Sequence, residues 1–388
     1  MNELNITTIE YSDGGKYVGQ VLNGKRHGQG TYYYPNGAIY NGKWYQDKYS
    51  KYGELKYADG SVYKGDWLEG EQFRYGELLY ADGTIYKGYW SGGKKNGYGE
   101  FTFTNGVQRI GYWVNGSAKY TSLKFLNGDY YVGNLKGFNR EGYGIYTYKN
   151  KDIYRGNWKD GKKNGYGKMK CNSGELYLGN YIDNLKSGYG IYKTSTESYV
   201  GNFQNDKRNG FGITFDKRNH LSKVGYWEED KLIKMDDLLK RQKYSNGDMY
   251  VGQLVNNERN GIGFYLYKNG DFSIGEWKNG KICGLGIVAQ KGVICIGSFK
   301  DGLLNGICMI DTLEIGLSIG EFEDGQRNGY GIMDYKNGDR YEGEWNGKYY
   351  HGKGVFYDVS GEITEGYYEN SIIKETYVVC YKESAVTF

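Results

Sequence analysis

The chain of 388 residues sets 50 Lys and Arg against 46 Asp and Glu, a net charge of +4, and holds 64 Gly and 45 Tyr but a single Pro. So even a charge balance argues against a dedicated nucleic-acid binder, and the glycine–tyrosine bias argues against an ordinary globular domain. Five cysteines, an odd number, make no disulfide framework.

The opening residues Met1 to Ile6 lack the basic and apolar regions of a signal peptide, and no apolar run approaches the ~18 residues of a membrane helix. A cytoplasmic protein is expected. From Tyr17 the phrase Tyr-x-Gly recurs at Tyr40, Tyr63, Tyr86 and onward, a period of 23 residues. With that tyrosine as position zero, all eight tryptophans fall at position four: Trp44, Trp67, Trp90, Trp113, Trp158, Trp227, Trp277 and Trp345. A period in this range marks a repeat array, which grows in one direction and never closes around a central core.

Within a repeat, positions zero, two and four (Tyr, Gly, Trp) share one face of a strand, because side chains alternate with period two. Asx-Gly pairs such as Asn36-Gly37, Asp59-Gly60, Asp82-Gly83 and Asn337-Gly338 supply the positive φ of tight turns. Each repeat therefore reads as a β-hairpin. The predicted fold is all-β: one elongated, twisted antiparallel meander ribbon of roughly 31 strands, ~150 Å long and ~20 Å wide. Glycine on alternate strand positions is unfavourable in isolation, so the neighbouring Tyr and Trp rings are expected to lie over the bare backbone.

These residues resemble the MORN repeat (membrane occupation and recognition nexus), whose unit reads Tyr-x-Gly-x-Trp-x-x-Gly-x-x-x-Gly-x-Gly with a later Asx-Gly. The repeats starting at Tyr17, Tyr86, Tyr154 and Tyr341 match it nearly throughout, and about fifteen units can be traced over residues 11 to 375. Proteins with such arrays include junctophilins, plant phosphatidylinositol phosphate kinases, radial-spoke components and an apicomplexan basal-complex scaffold. The resemblance implies the fold, and a cytoskeletal, ciliary or membrane-peripheral setting, more than any one chemistry.

The array is uneven. Gly111-Tyr112-Trp113, Gly225-Tyr226-Trp227 and Gly366-Tyr367-Tyr368 lack the anchoring tyrosine, and a shared restart phrase follows the first two. Three blocks are expected: 1–118 with an N-terminal capping strand, 119–236, and 237–388 with a C-terminal strand. Within the second junction, 229–243, acids come first and bases last, with Leu232, Met235 and Leu239 on one side. That pattern suits a short amphipathic helix or a linker.

Little in the sequence points to catalysis. His27 and His351 occupy the same loop position of distant repeats, and Cys283, Cys295 and Cys308 are not spaced as zinc ligands. Gly284-Leu285-Gly286 echoes a dinucleotide fingerprint but runs on into a strand instead of a helix. No catalytic, metal or cofactor site is expected.

The candidate binding feature is a row of bases at position nine: Arg26, Lys95, Arg140, Lys163, Lys186, Arg208, Arg259 and Arg327. Successive strands would align them along one edge of the ribbon, facing an acidic partner or anionic phospholipid at ~1 kcal/mol each. The apolar end Thr376 to Tyr381 offers a strand edge through which two copies could dimerise. The sequence thus reads as a non-catalytic scaffold for protein–protein interaction with a partner of unknown identity. The alternative is a peripheral phosphoinositide-binding tether, and a targeting subunit of an enzyme comes third.

Overall fold

A computed structural model describes residues 5–234 and 239–381. Among them every regular element is a β-strand, and the strands pair antiparallel in sequence order within each of two sheets. The meander follows directly from the repeat. In the hairpin of Ile39–Tyr45 and Lys48–Lys56, Gly42 pairs with Gly53 and Trp44 with Tyr49. A bulge between these pairs recurs at the same place in the hairpins of Tyr17, Tyr63 and Tyr86.

Two kinds of turn alternate. The turn inside most hairpins has two left-handed residues, as at Asn23 and Gly24 (φ 51° and 75°) or Asn256 and Asn257 (φ 51° and 64°). Such a pair matches the right-handed twist of the flanking strands and so fixes the register. The Asx-Gly pairs instead join one repeat to the next. There only the glycine is left-handed (φ 91° at Gly60), Tyr57 N–H donates to Ser61 O at 2.8 Å, and the Asp59 carboxylate accepts from Ser61 N–H at 2.9 Å.

The described chain forms two compact units, 5–132 and 133–381. The first is a single sheet running from Asn5–Glu10 to Ser117–Lys124, whose Ser122 in turn pairs with Val132. The second contains two sheets. One ends at the short strand Lys231–Lys234; the other is 13-stranded and begins at Lys240–Lys243. The single ribbon expected from the sequence is therefore laid out as two sheets, because strand pairing lapses between these elements.

The helix expected over 229–243 is not what forms at its described ends. Glu229 and Asp230 make a left-handed hairpin turn, Leu232 pairs with Trp227, and Lys240–Lys243 pairs with Met249–Val255. Strand pairing satisfies the backbone here, so the helical charge pattern is overridden. Residues 235–238, including Met235 and the expected block boundary at 236/237, lie outside the described residues.

In the second unit the two sheets pack face to face, folded at that break. Glu197–Gln204 lies against Phe272–Lys278, Leu185–Lys193 against Lys281–Gln290, and Lys162–Lys170 against Leu303–Thr312. Between them runs an aliphatic core that includes Leu178, Ile191, Val200, Ile213, Val251, Ile274 and Met309, with Leu239 buried at the fold.

Candidate interaction surface

The tyrosine at position zero is the pivot of each hairpin. Tyr17, Tyr40, Tyr63 and Tyr86 are wholly buried, yet each hydroxyl donates to the carbonyl three residues on: Gln20, Lys43, Asp66 and Tyr89, at 2.7 to 3.3 Å. To reach it, the ring crosses the two facing glycines of the hairpin. A Cβ on Gly42 would come within 2.6 Å of Gly53 Cα, and one on Gly53 would collide with the Tyr40 ring. The glycines are thus required by close approach of strand and ring.

Tryptophan completes the stripe. In seven repeats the indole N–H donates to a glycine carbonyl of the preceding repeat, as in Trp44 to Gly30 (3.0 Å) and Trp158 to Gly144 (3.2 Å). Tyr and Trp rings alternate edge to face along the array; Tyr40 meets Trp44 at 5.2 Å and Trp67 at 5.5 Å. Where the tyrosine is missing, other side chains fill its space. Cys308 is buried against Gly297, and the Ile282 side chain occupies the room above Gly286. Burial pushes the Cys295 thiol up to about 11, as befits a packing residue more than a reactive one.

The position-nine bases lie on this same aromatic face, half-buried. In each hairpin position nine is the cross-strand partner of position four, so Arg26 faces Val21, Lys163 faces Trp158 and Arg208 faces Phe203. All eight cations extend over the stripe. Arg26 sits 4.3 Å from the Trp44 ring, Arg140 4.3 Å from Trp158, Lys186 4.2 Å from Tyr192 and Arg259 4.6 Å from Tyr265. Arg327 lies 5.0 Å from Trp345, Lys163 5.0 Å from Tyr181, and Arg208 and Lys95 each 5.1 Å from Tyr199 and Phe101. Burial lowers the pKa of Lys95 and Lys163. In other repeats the same position holds Tyr49, Ile282, Leu304 or Tyr350, and Tyr49 stacks on Tyr40 at 3.6 Å. Position nine is a lid on the rings, with cation–π contacts worth roughly 0.5–2 kcal/mol each.

The opposite face differs between the two units, and the sequence reading passed over it. It is set by position one and by its partner on the return strand. In the second unit they include Leu178, Val200, Val251, Ile274, Ile296 and Ile319, all inside the sandwich, with Arg155 and Glu342 toward one end of it. In the middle repeats of the first unit they are Asn41, Lys64 and Lys87, facing Glu54 and Glu77, while Val18 and Ile110 hold the position in the repeats to either side. Lys64 and Glu54 pair at 3.1 Å, and Lys87 and Glu77 at 3.0 Å. Beside this row stand Tyr52, Tyr75 and Tyr89, which are 63%, 54% and 38% exposed. Tyr75 and Tyr89 are cross-strand partners whose rings meet edge to face at 5.7 Å. Tyrosine is among the residues enriched at protein interfaces.

The remaining expected features are dispersed. The His27 ring lies 5.2 Å from that of Tyr45, and the His351 ring 6.5 Å from that of Tyr367. Gly284 and Gly286 sit inside the strand Lys281–Gln290, with no helix to follow. Ile372–Tyr381 pairs with Glu362–Glu369 and with no further strand among the described residues.

Hairpins locked by tyrosine, paired glycines and tryptophan define a β-hairpin repeat protein with a structural aromatic face. The chain belongs to the MORN-repeat family: the family model, described as MORN repeat, matches eleven segments that together make up more than half of it. They are 17–39, 63–85, 86–108, 131–153, 154–175, 177–196, 199–215, 250–272, 274–288, 319–340 and 341–363. The unmatched stretch from Tyr40 forms the same hairpin as its neighbours. No curated protein matches.

Among solved structures, the chain is similar to the TCP domain of Drosophila melanogaster SAS-4 in complex with a proline-rich motif of Ana2. That match has 14% identity over 45% of this chain and 90% of that one, with a TM-score of 0.28. The TCP10 domain of Danio rerio CPAP matches at 10% identity over 57% of this chain and 100% of that one, with a TM-score of 0.31.

Proposed function

We propose that this protein is a non-catalytic scaffold that binds other proteins, and that the face of the first unit bearing Tyr52, Tyr75 and Tyr89 is its working surface. The observation that carries this reading is the contrast between equivalent faces. The second unit's is covered by its own second sheet, whereas the middle of the first unit's presents exposed tyrosines beside a salt-bridged row. A cytoskeletal or membrane-peripheral setting in the cytoplasm accords with this role. Self-association along the edge of Ile372–Tyr381 would be a second, separate contact.

The lipid-tether reading has the row of eight bases in its favour. It is the weaker one, because those cations already rest on aromatic rings of the chain. Turning them toward phosphate would forfeit these contacts and uncover the stripe.

Site-specific photo-crosslinking in cells tests the scaffold reading. A photoreactive side chain at Tyr52 or Tyr75 should trap a discrete protein adduct, whereas one at Leu313, an exposed turn residue of the second unit, should not. Equal labelling at all three positions, or none at Tyr52 and Tyr75, would count against this surface.

A further inference from the structure

The sandwich of the second unit is built differently at its two ends. Near the fold between the sheets its interior is wholly aliphatic and aromatic: Ile191, Val200 and Ile213 against Val251, Phe264 and Ile274. At the far end the same inner face carries charge. Lys168 Nζ donates to both oxygens of Asp311 at 2.8 Å, across the sheets. Arg155 Nη1 donates to Asp334 Oδ2 at 2.6 Å, and the Tyr143 hydroxyl donates to the same oxygen at 3.1 Å. Asn134 on one sheet and Tyr330 on the other both donate to Glu342. Asp311, Asp334, Arg340 and Glu342 are all buried.

Two features make this end the weaker one. An ion pair taken out of water recovers its desolvation cost only with complete hydrogen bonding, and is commonly no better than an apolar pair of the same volume. Here bonding is incomplete: Arg340 Nε and Glu342 Oε2 are buried without a hydrogen-bond partner, and an atom left so bears its full desolvation cost. Opening to water would satisfy both. Because the sheets are meanders, parting them at this end breaks no strand pairing within either one, and arrays of this kind open locally.

We propose that the charged end of the sandwich is a clasp that opens and closes while the aliphatic end near the fold stays shut. The clasp consists of Lys168–Asp311, Arg155–Asp334 and Asn134–Glu342. Its opening exposes the inner faces of Lys162–Lys170, Leu303–Thr312 and Gln326–Tyr335. Removing one partner leaves a buried charge unpaired and favours the open state. Replacing both partners by apolar side chains favours the closed one.

Amide hydrogen exchange on the full-length chain reads both predictions. D311N should speed exchange at the clasp end by about ten-fold or more, while Glu197–Gln204 and Phe272–Lys278 keep their rates. The double variant K168M/D311L should bring the clasp-end rates below those of the parent. Acceleration at both ends, acceleration at neither, or a double variant no slower than the parent would overturn the clasp. If D311N does not fold, the double variant is compared with the parent: slowing confined to the charged end upholds the proposal, and unchanged or uniform rates overturn it.

Discussion

Tyrosine in this protein is a structural residue first. Its ring covers glycine, its hydroxyl closes onto a backbone carbonyl, and only then is the hairpin sealed. Burial pushes Tyr17 and Tyr189 up to about 12. An unfolded tyrosine ionises near pH ~10, so above that pH the unfolded chain holds fewer protons than the folded one. Stability is therefore full below pH ~10 and declines from there to about 12 as the folded groups would have to ionise. A spectrophotometric titration should show a class of tyrosines silent until the chain unfolds, with the unfolding midpoint falling across that window. Titration of every tyrosine near pH 10 in a still-folded chain would refute the packing described. This role was legible in the sequence, since Tyr, Gly and Trp at positions zero, two and four can only share a face. The hydroxyl bond was not, because it depends on a ring laid along the strand and not on residue type.

At the scale of the hairpin, spacing dictates pairing and glycine permits it. Gly53→Ala should cost about 2 kcal/mol, the usual cost of overpacking, because the new methyl meets the Tyr40 ring. A thermal or denaturant midpoint unchanged by this substitution would show that the ring can step aside. The sequence misled at two elements for related reasons. Residues 229–243 carry a helix-like charge order, but Glu229 and Asp230 adopt the hairpin turn and the flanking residues keep pairing. The position-nine bases looked like an exposed edge row. Their register opposite position four turns them onto the aromatic face, a consequence of the bulge that a residue count alone does not reveal.

The whole molecule uses one repeat in two ways, and the difference lies at position one. Asn41, Lys64 and Lys87 leave the middle of the first unit's second face polar and open to solvent. Leu178, Val200, Val251, Ile274, Ile296 and Ile319 oblige the second unit to fold sheet on sheet. That alternation stood in the sequence, but aliphatic residues next to a recurring aromatic stripe read as ordinary strand composition until a second sheet covers them. The central claim is that the aromatic face with its eight cations is internal architecture, and that binding falls to the other face. Co-flotation of the full-length protein with phosphoinositide-containing and neutral liposomes at physiological salt tests it most directly. No flotation with either is the predicted result. Flotation with the anionic liposomes alone, abolished by K163E, K186E and R208E together, would contradict it.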